Sequence, residues 1–211
     1  MKATFNTKSL VLLGLLTAVV MVFSFTPIGS IPVGPLVITL NIIPVAIAAV
    51  ALGPVGGLIM GSVFGIFSFL QCFGIGIPSG MGATLVSIDP FLAFIQRFVP
   101  RALDGFLVGL IFKGVSSFSN PHIGSLVAGF CTAFLNTLFF MSALILLFGN
   151  TDYVQGLRNG KNVVAFVVTF VGINAVCEMI TCTIITGAIG VALYKAGMIS
   201  VPTSKTAKAN A

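Results

Sequence analysis

The sequence predicts an all-α membrane protein, a single bundle of six transmembrane helices with both termini cytoplasmic. Three observations predict it. Of 211 residues, 57% are hydrophobic and only 7% charged, with a mean hydropathy of +1.18. A soluble domain carries about 25% charged residues, so lipid must cover much of this chain. The apolar residues gather into six runs, and a chain of this length has room for about that many spans of roughly 20 residues. Finally, the basic residues collect on one side of the alternating runs.

The first run, 9–25, follows Lys2 and Lys8. It resembles a signal peptide in charge order, but the FSFTPIGS stretch after it has no small-x-small cleavage site and further spans follow, so it reads as an uncleaved first helix. The Gly- and Pro-rich TPIGSIPVGP leads to the second run, 37–52, and Gly53-Pro54 separates that from the third, 54–73. GIGIPSGMG then precedes the fourth, 89–113, where Asp89 before Pro90 has the pattern of an N-cap. The fifth run is 121–148. GNTDYVQGLRNGKN, residues 149–162, leads to the last, 163–195, which is long enough to tilt, break or project.

With the N-terminus inside, Lys2, Lys8, Lys113, Lys195, Lys205 and Lys208 are cytoplasmic, and only Arg158 and Lys161 fall in an outer loop. The three Gly- and Pro-rich connections then all face outward, where they can fold over a site. The net charge of +6 carries no implication of nucleic acid, because its basic residues are scattered and lie mostly at helix ends. The four cysteines, with no CxxC spacing, read as small buried hydrophobes. A lone histidine, His122, makes no metal cluster.

Gly53, Gly57, Gly61 and Gly65 recur every four residues on one helix face, a spacing that lets backbones approach closely in lipid. Gly14 and Ala18 on the first helix and Ala188, Ala192 and Ala196 on the last repeat the small-xxx-small spacing. These stripes serve either packing within the bundle or docking of another membrane subunit.

Charged residues inside spans cost several kcal/mol and are functional candidates by default. Arg97, Arg101 and Asp104, at i, i+4 and i+7, share one face of the fourth helix. Asn174 and Glu178 share a face of the last, Thr132 and Asn136 lie on the fifth, and Gln71 ends the third. At 1.5 Å per residue, Arg97 lies roughly 10–12 Å and Asn174 roughly 16 Å below the outer ends of their helices. Arg97, Asn136, Asn174 and Gln71 therefore converge in the outer half of the bundle. Arg101, Asp104 and Glu178 lie deeper and read as structural ion pairs, with Arg101 bonded to either acid. Arg97 is then either part of that network or a free guanidinium, suited to a bidentate carboxylate or phosphate. The amides serve either interhelical hydrogen bonds or a ligand, and the many Phe residues would supply an apolar wall.

Several chemistries are missing. There is no strand–GxxxxGK[ST]–helix P-loop; GLRNGKN is too short in glycine spacing and has Asn162 where Ser or Thr belongs. The chain is thus not expected to hydrolyse ATP. There is no HExxH and no Asp-rich cluster, and a serine hydrolase lacks its base. The discontinuous inverted repeats of many secondary transporters are not visible either.

The segments TPIGSIPVGPLVITLNIIPVAIAAVALGPVGGLIMGSVFG, FVPRALDGFLVGLIFK and VGINAVCEMI resemble the S-component, the substrate-binding membrane subunit, of energy-coupling factor (ECF) vitamin transporters over about residues 9–195. The resemblance implies a bacterial cell-membrane subunit that binds one vitamin near its outer face, with no cofactor of its own. Its partners would be a transmembrane scaffold and two cytoplasmic ATPases that bind the ATP. The scaffold would dock on small residues of the first helix, here Gly14 and Ala18; the family has two alanines there, so Gly14 departs from the pattern. FVPRALDG, VGINAVCEM and NTLFFMSALILLFGN are most similar to the pantothenate type. That implies a ligand with one carboxylate, clamped by Arg97, whose hydroxyls and amide meet Gln71, Asn136 and Asn174 while TPIGSIPVGP closes above. The alternatives are an S-component for another vitamin (a pyridoxine-like compound, a folate or riboflavin), an ion-coupled secondary transporter, or a scaffold that transports nothing.

Overall fold

The computed structural model describes residues 7–33 and 36–199. Helix α1 (Thr7–Phe25) is followed by an antiparallel hairpin of β1 (Ser30–Val33) and β2 (Leu36–Thr39). Then come α2 (Ile42–Leu70), a 3-10 turn (Gln71–Phe73), α3 (Gly80–Ile88), α4 (Pro90–Phe118), α5 (Pro121–Phe148), α6 (Asp152–Arg158) and α7 (Val163–Lys195). Lys2, Lys205 and Lys208, expected on the cytoplasmic side, and Gly34 and Pro35 of the TPIGSIPVGP connection lie outside the described residues.

The hairpin corrects the sequence reading, which began a helix at residue 37. Leu36–Thr39 instead pairs with Ser30–Val33, Ser30 opposite Thr39 and Val33 opposite Leu36. Three of these four β2 residues are β-branched and fit a strand; the helix begins only after Asn41. Two of the expected loops also contain short helices. Ser79 caps α3 by accepting from the Gly82 N–H, and Thr151 caps α6 by accepting from the Val154 N–H. Asp89 caps α4 as its sequence position predicts, accepting from the Phe91 and Leu92 N–H groups at 2.9 and 3.0 Å.

Helix α2 joins two of the expected runs. Its continuity is broken at Gly53, whose φ of 73° and ψ of −162° only glycine adopts readily, with Pro54 next. The chain turns back sharply there. A Cβ on Gly57 would lie 3.0 Å from the Ala49 Cβ, eight residues earlier, a distance that one straight helix would not permit.

The glycine stripe is a packing surface within the bundle. α2 and α4 form the most extensive helix pair, followed by α5 with α7 and α4 with α5. A Cβ on Gly57 would collide with the carbonyl of Gly105, and one on Gly105 with the carbonyl of Gly57. Gly61 faces the Arg101 carbonyl in the same way, Gly65 lies against Phe98, and Gly109 against Pro54. The stripes on α1 and α7 behave differently. Gly14, Ala18, Ala188, Ala192 and Ala196 are all exposed, and nothing lies within 4 Å of the position a Gly14 Cβ would take.

Among the described residues, four helices are long and apolar enough to cross a membrane: α1, α2 with its 3-10 turn, α5 and α7. Six spans were expected. Two of them are joined in α2, and α4, though 29 residues long, carries Arg97, Arg101, Asp104 and Lys113. The outward faces fit a lipid environment: Val11, Leu15, Leu146, Val164 and Ile173 are all exposed. The cysteines are free; Cys72 and Cys182 are buried, Cys131 is half-buried, and Cys177 is exposed, contrary to its expected burial.

Candidate functional site

The α4 face that carries Arg97 and Arg101 is packed inward because the glycines of α2 bring that helix against the α4 backbone. Both guanidiniums are consequently buried, with Arg97 6% and Arg101 5% exposed. They border a cavity of about 90 Å³, lined also by Thr39, Phe64, Ser68, Gln71, Ile77, Ser79, Met81, Asn136, Thr137, Phe140, Val171, Asn174, Ala175 and Glu178. A buried water needs roughly 10–15 Å³ on the same measure, so the space holds several waters or the polar end of a small ligand. Its lining comes from β2, the end of α2, the connection into α3, the first half of α4, the last half of α5 and the first half of α7. It therefore sits at the end of the bundle where the hairpin, α3 and α6 gather.

All four residues expected to bind a ligand, Arg97, Gln71, Asn136 and Asn174, line this one cavity. Arg97 donates from Nη2 to the Ser79 hydroxyl at 3.1 Å and lies over the Phe140 ring at 5.2 Å. Gln71 spends its amide nitrogen on the Ser24 carbonyl at 3.1 Å, which also accepts from the Ile77 N–H at 3.0 Å. Those two bonds tie the C-terminal end of α1 to the cavity wall.

The ion pairs expected deeper in the bundle are not formed among the described residues. Arg101 donates from Nη1 to the Arg97 carbonyl at 2.9 Å. Its guanidinium lies over Phe64 at 4.8 Å and Phe140 at 5.3 Å, geometry that stabilises a cation without a carboxylate. Glu178 accepts from the Thr39 backbone N–H at 2.8 Å. Asp104 is buried one turn further along α4, off the cavity, with Oδ1 unpartnered. Arg101 and Glu178 thus belong to the cavity wall.

Three buried polar atoms on the lining have no partner: Nε of Arg97, Nε of Arg101 and Oδ1 of Asn136. Leaving such groups unmade costs about 1–3 kcal/mol each, more for charged ones. Two donors and an acceptor around one space form a recognition pattern for a polar, anionic molecule. Beside the cavity, partial burial pushes the Tyr153 phenol on α6 above its ordinary value, and it stays a neutral hydroxyl.

The sequence reading missed the hydroxyls Thr39, Ser68, Ser79 and Thr137 and the rings Phe64 and Phe140. Most were within reach of the spacing argument already used. Phe64, Ser68 and Gln71 stand at i, i+4 and i+7, as Arg97, Arg101 and Asp104 do, and Phe140 stands one turn after Asn136.

The family model described as ECF transporter, substrate-specific component, matches residues 8–190. A protein named pantothenate transporter PanT from Leuconostoc mesenteroides subsp. mesenteroides is 29% identical over 195 residues, covering 88% of this chain and 91% of that protein. A pantothenic acid transporter PanT from Lactococcus lactis subsp. cremoris is 29% identical over 181 residues, covering 78% and 80% respectively.

Proposed function

As the chain belongs to the family of ECF transporter substrate-specific components, we propose that it captures pantothenate from outside a bacterial cell and delivers it through an ATP-driven complex. It is a multi-pass protein of the bacterial cell membrane, a binding subunit rather than an enzyme. The observation that carries the substrate is the pair of buried guanidiniums on one cavity with no carboxylate among the described residues bonded to either. Pantothenate supplies the missing anion. Arg97 clamps its carboxylate, while Asn136, Asn174 and the carbonyl of Gln71 meet its hydroxyls and amide. Neutral vitamins would leave the guanidiniums unmatched.

The two arms of α2 around Gly53 and the charged α4 are read as spans, making six with α1, α5 and α7 and leaving both termini cytoplasmic. Lys8, Lys113 and Lys195 then share the cytoplasmic side, which supports this orientation. Calorimetry of the purified chain with pantothenate, riboflavin, a folate and pyridoxine tests the substrate. Tight binding of pantothenate alone is expected; binding of another vitamin, or of none, would remove the assignment.

ATP would be hydrolysed by two cytoplasmic partner subunits joined through a transmembrane scaffold. The exposed Gly14 and Ala18 on α1 are the proposed docking surface, since a face without side-chain bulk admits a partner helix closely. Gly14→Leu should therefore leave pantothenate affinity within about twofold of wild type, because open space surrounds that position. It should abolish co-purification of the scaffold and ATP-driven uptake. Normal uptake by this variant would move docking elsewhere.

A further inference from the structure

We propose that Glu178 is a positioning residue that latches the β-hairpin over the cavity. The inference rests on the binding reading above and gives this acid a task other than pairing with an arginine. Glu178 is 5% exposed, on α7, and lines the same space as the two guanidiniums. Its Oε1 accepts from the backbone N–H of Thr39 at 2.8 Å, across 139 residues of sequence.

Thr39 is the last residue of β2 and stands opposite Ser30, the first of β1. Holding Thr39 therefore holds the base of the hairpin. The Leu40 N–H donates to the Gly29 carbonyl at 2.9 Å and closes that base. Thr39 Oγ1 accepts from the Asn41 N–H at 3.3 Å, and Asn41 Nδ2 donates to the Ser24 hydroxyl at 3.2 Å. Of these attachments, only the Glu178 bond runs from the hairpin to the cavity wall itself.

A buried carboxylate is a costly anchor inside a membrane bundle, where a neutral acceptor would hold an amide at lower desolvation cost. Its value lies in its position. One oxygen holds the hairpin, and the group as a whole faces the bound molecule with further acceptor capacity. A ligand with an anionic end for Arg97 and a hydroxyl or N–H donor for Glu178 would fasten the hairpin to itself as it binds. Such a ligand leaves only when the hairpin lifts, so the latch acts on the dissociation rate.

The test is hydrogen exchange of the ligand-free protein, read peptide by peptide, with pantothenate dissociation measured beside it. In Glu178→Ala, amides of the hairpin should exchange at least about tenfold faster, the factor set by loss of one charge-assisted hydrogen bond, while α4 and α5 keep wild-type protection. Glu178→Gln retains a carbonyl acceptor and should keep most of the protection. Thr39→Pro removes the donor from the hairpin side and should reproduce the alanine effect, which keeps the test open if Glu178→Ala does not fold. Pantothenate should leave the alanine and proline variants about tenfold faster than wild type. Unchanged hairpin exchange, or acceleration spread equally over α4 and α5, would overturn the latch. Faster hairpin exchange in a protein whose wild type binds no pantothenate would keep the latch and discard the substrate.

Discussion

Replacing Arg97 with alanine is expected to abolish measurable pantothenate binding while leaving the ligand-free protein at least as stable as wild type. The two halves of this result come from one fact. Among the described residues the guanidinium is buried with no carboxylate bonded to it, and it leans on the Ser79 hydroxyl and the face of Phe140. Truncating one partner of a buried, hydrogen-bonded charge pair costs about 2–5 kcal/mol, or roughly 30- to several-thousand-fold in affinity. In the absence of ligand the same charge is a burden, since its Nε has no acceptor. Arg97→Lys keeps the charge but loses the planar fork, and should retain weak binding, with a deficit of about tenfold or more. Calorimetry and a thermal unfolding scan on the three proteins decide the matter. A variant that binds normally but unfolds at lower temperature would make Arg97 a structural residue.

The site was legible in the sequence because its residues are expensive in lipid and stand at helical spacing. Arg97, Asn136 and Asn174 could be ranked by depth along their helices, and the structure brings them onto one cavity with Gln71. Rotamers were not legible. The spacing of Arg101 to Asp104 puts both on one face but cannot say that the guanidinium turns back to the Arg97 carbonyl, between Phe64 and Phe140. The hairpin was hidden for a different reason. LVIT runs through Leu40 into NIIPVAIAAV, and a largely apolar stretch has the same appearance as strand or as buried helix. Only the β-branched cluster and the polar Asn41 marked the boundary. Helix α6 left a plainer trace, a Thr151-Asp152 start and an Asn159-Gly160 end, with Asn159 in the left-handed region at φ 46°.

Gly57→Leu is expected to prevent accumulation of folded protein, and Gly57→Ala to lower its melting temperature by about 6–12 °C. The contact is reciprocal: each of Gly57 and Gly105 meets the other's carbonyl, so the two helices touch backbone to backbone. Backbone cannot rotate out of the way as a side chain can. Val45 Cγ1, 3.1 Å from where a Gly105 Cβ would stand, and the Ala49 Cβ close the remaining space. Overpacking commonly costs about 1–3 kcal/mol, and this site belongs at the upper end; each kcal/mol shifts the midpoint of a chain this size by about 2–4 °C. Gly14→Ala is the control, because a Cβ there meets nothing within 4 Å, and its midpoint should stay within about 1 °C of wild type. The effect should also reach the site. Arg101 is one turn from Gly105 on α4, and its carbonyl faces Gly61 of α2, so any widening of the α2–α4 contact shifts both guanidiniums relative to Asn136 and Asn174. Gly57→Ala should therefore bind pantothenate more weakly even where it remains folded, as an error of about 1 Å in a site of this kind is enough to lose affinity. Wild-type melting and wild-type binding in Gly57→Ala would show that the close approach of the two helices is not what holds the arginines in place.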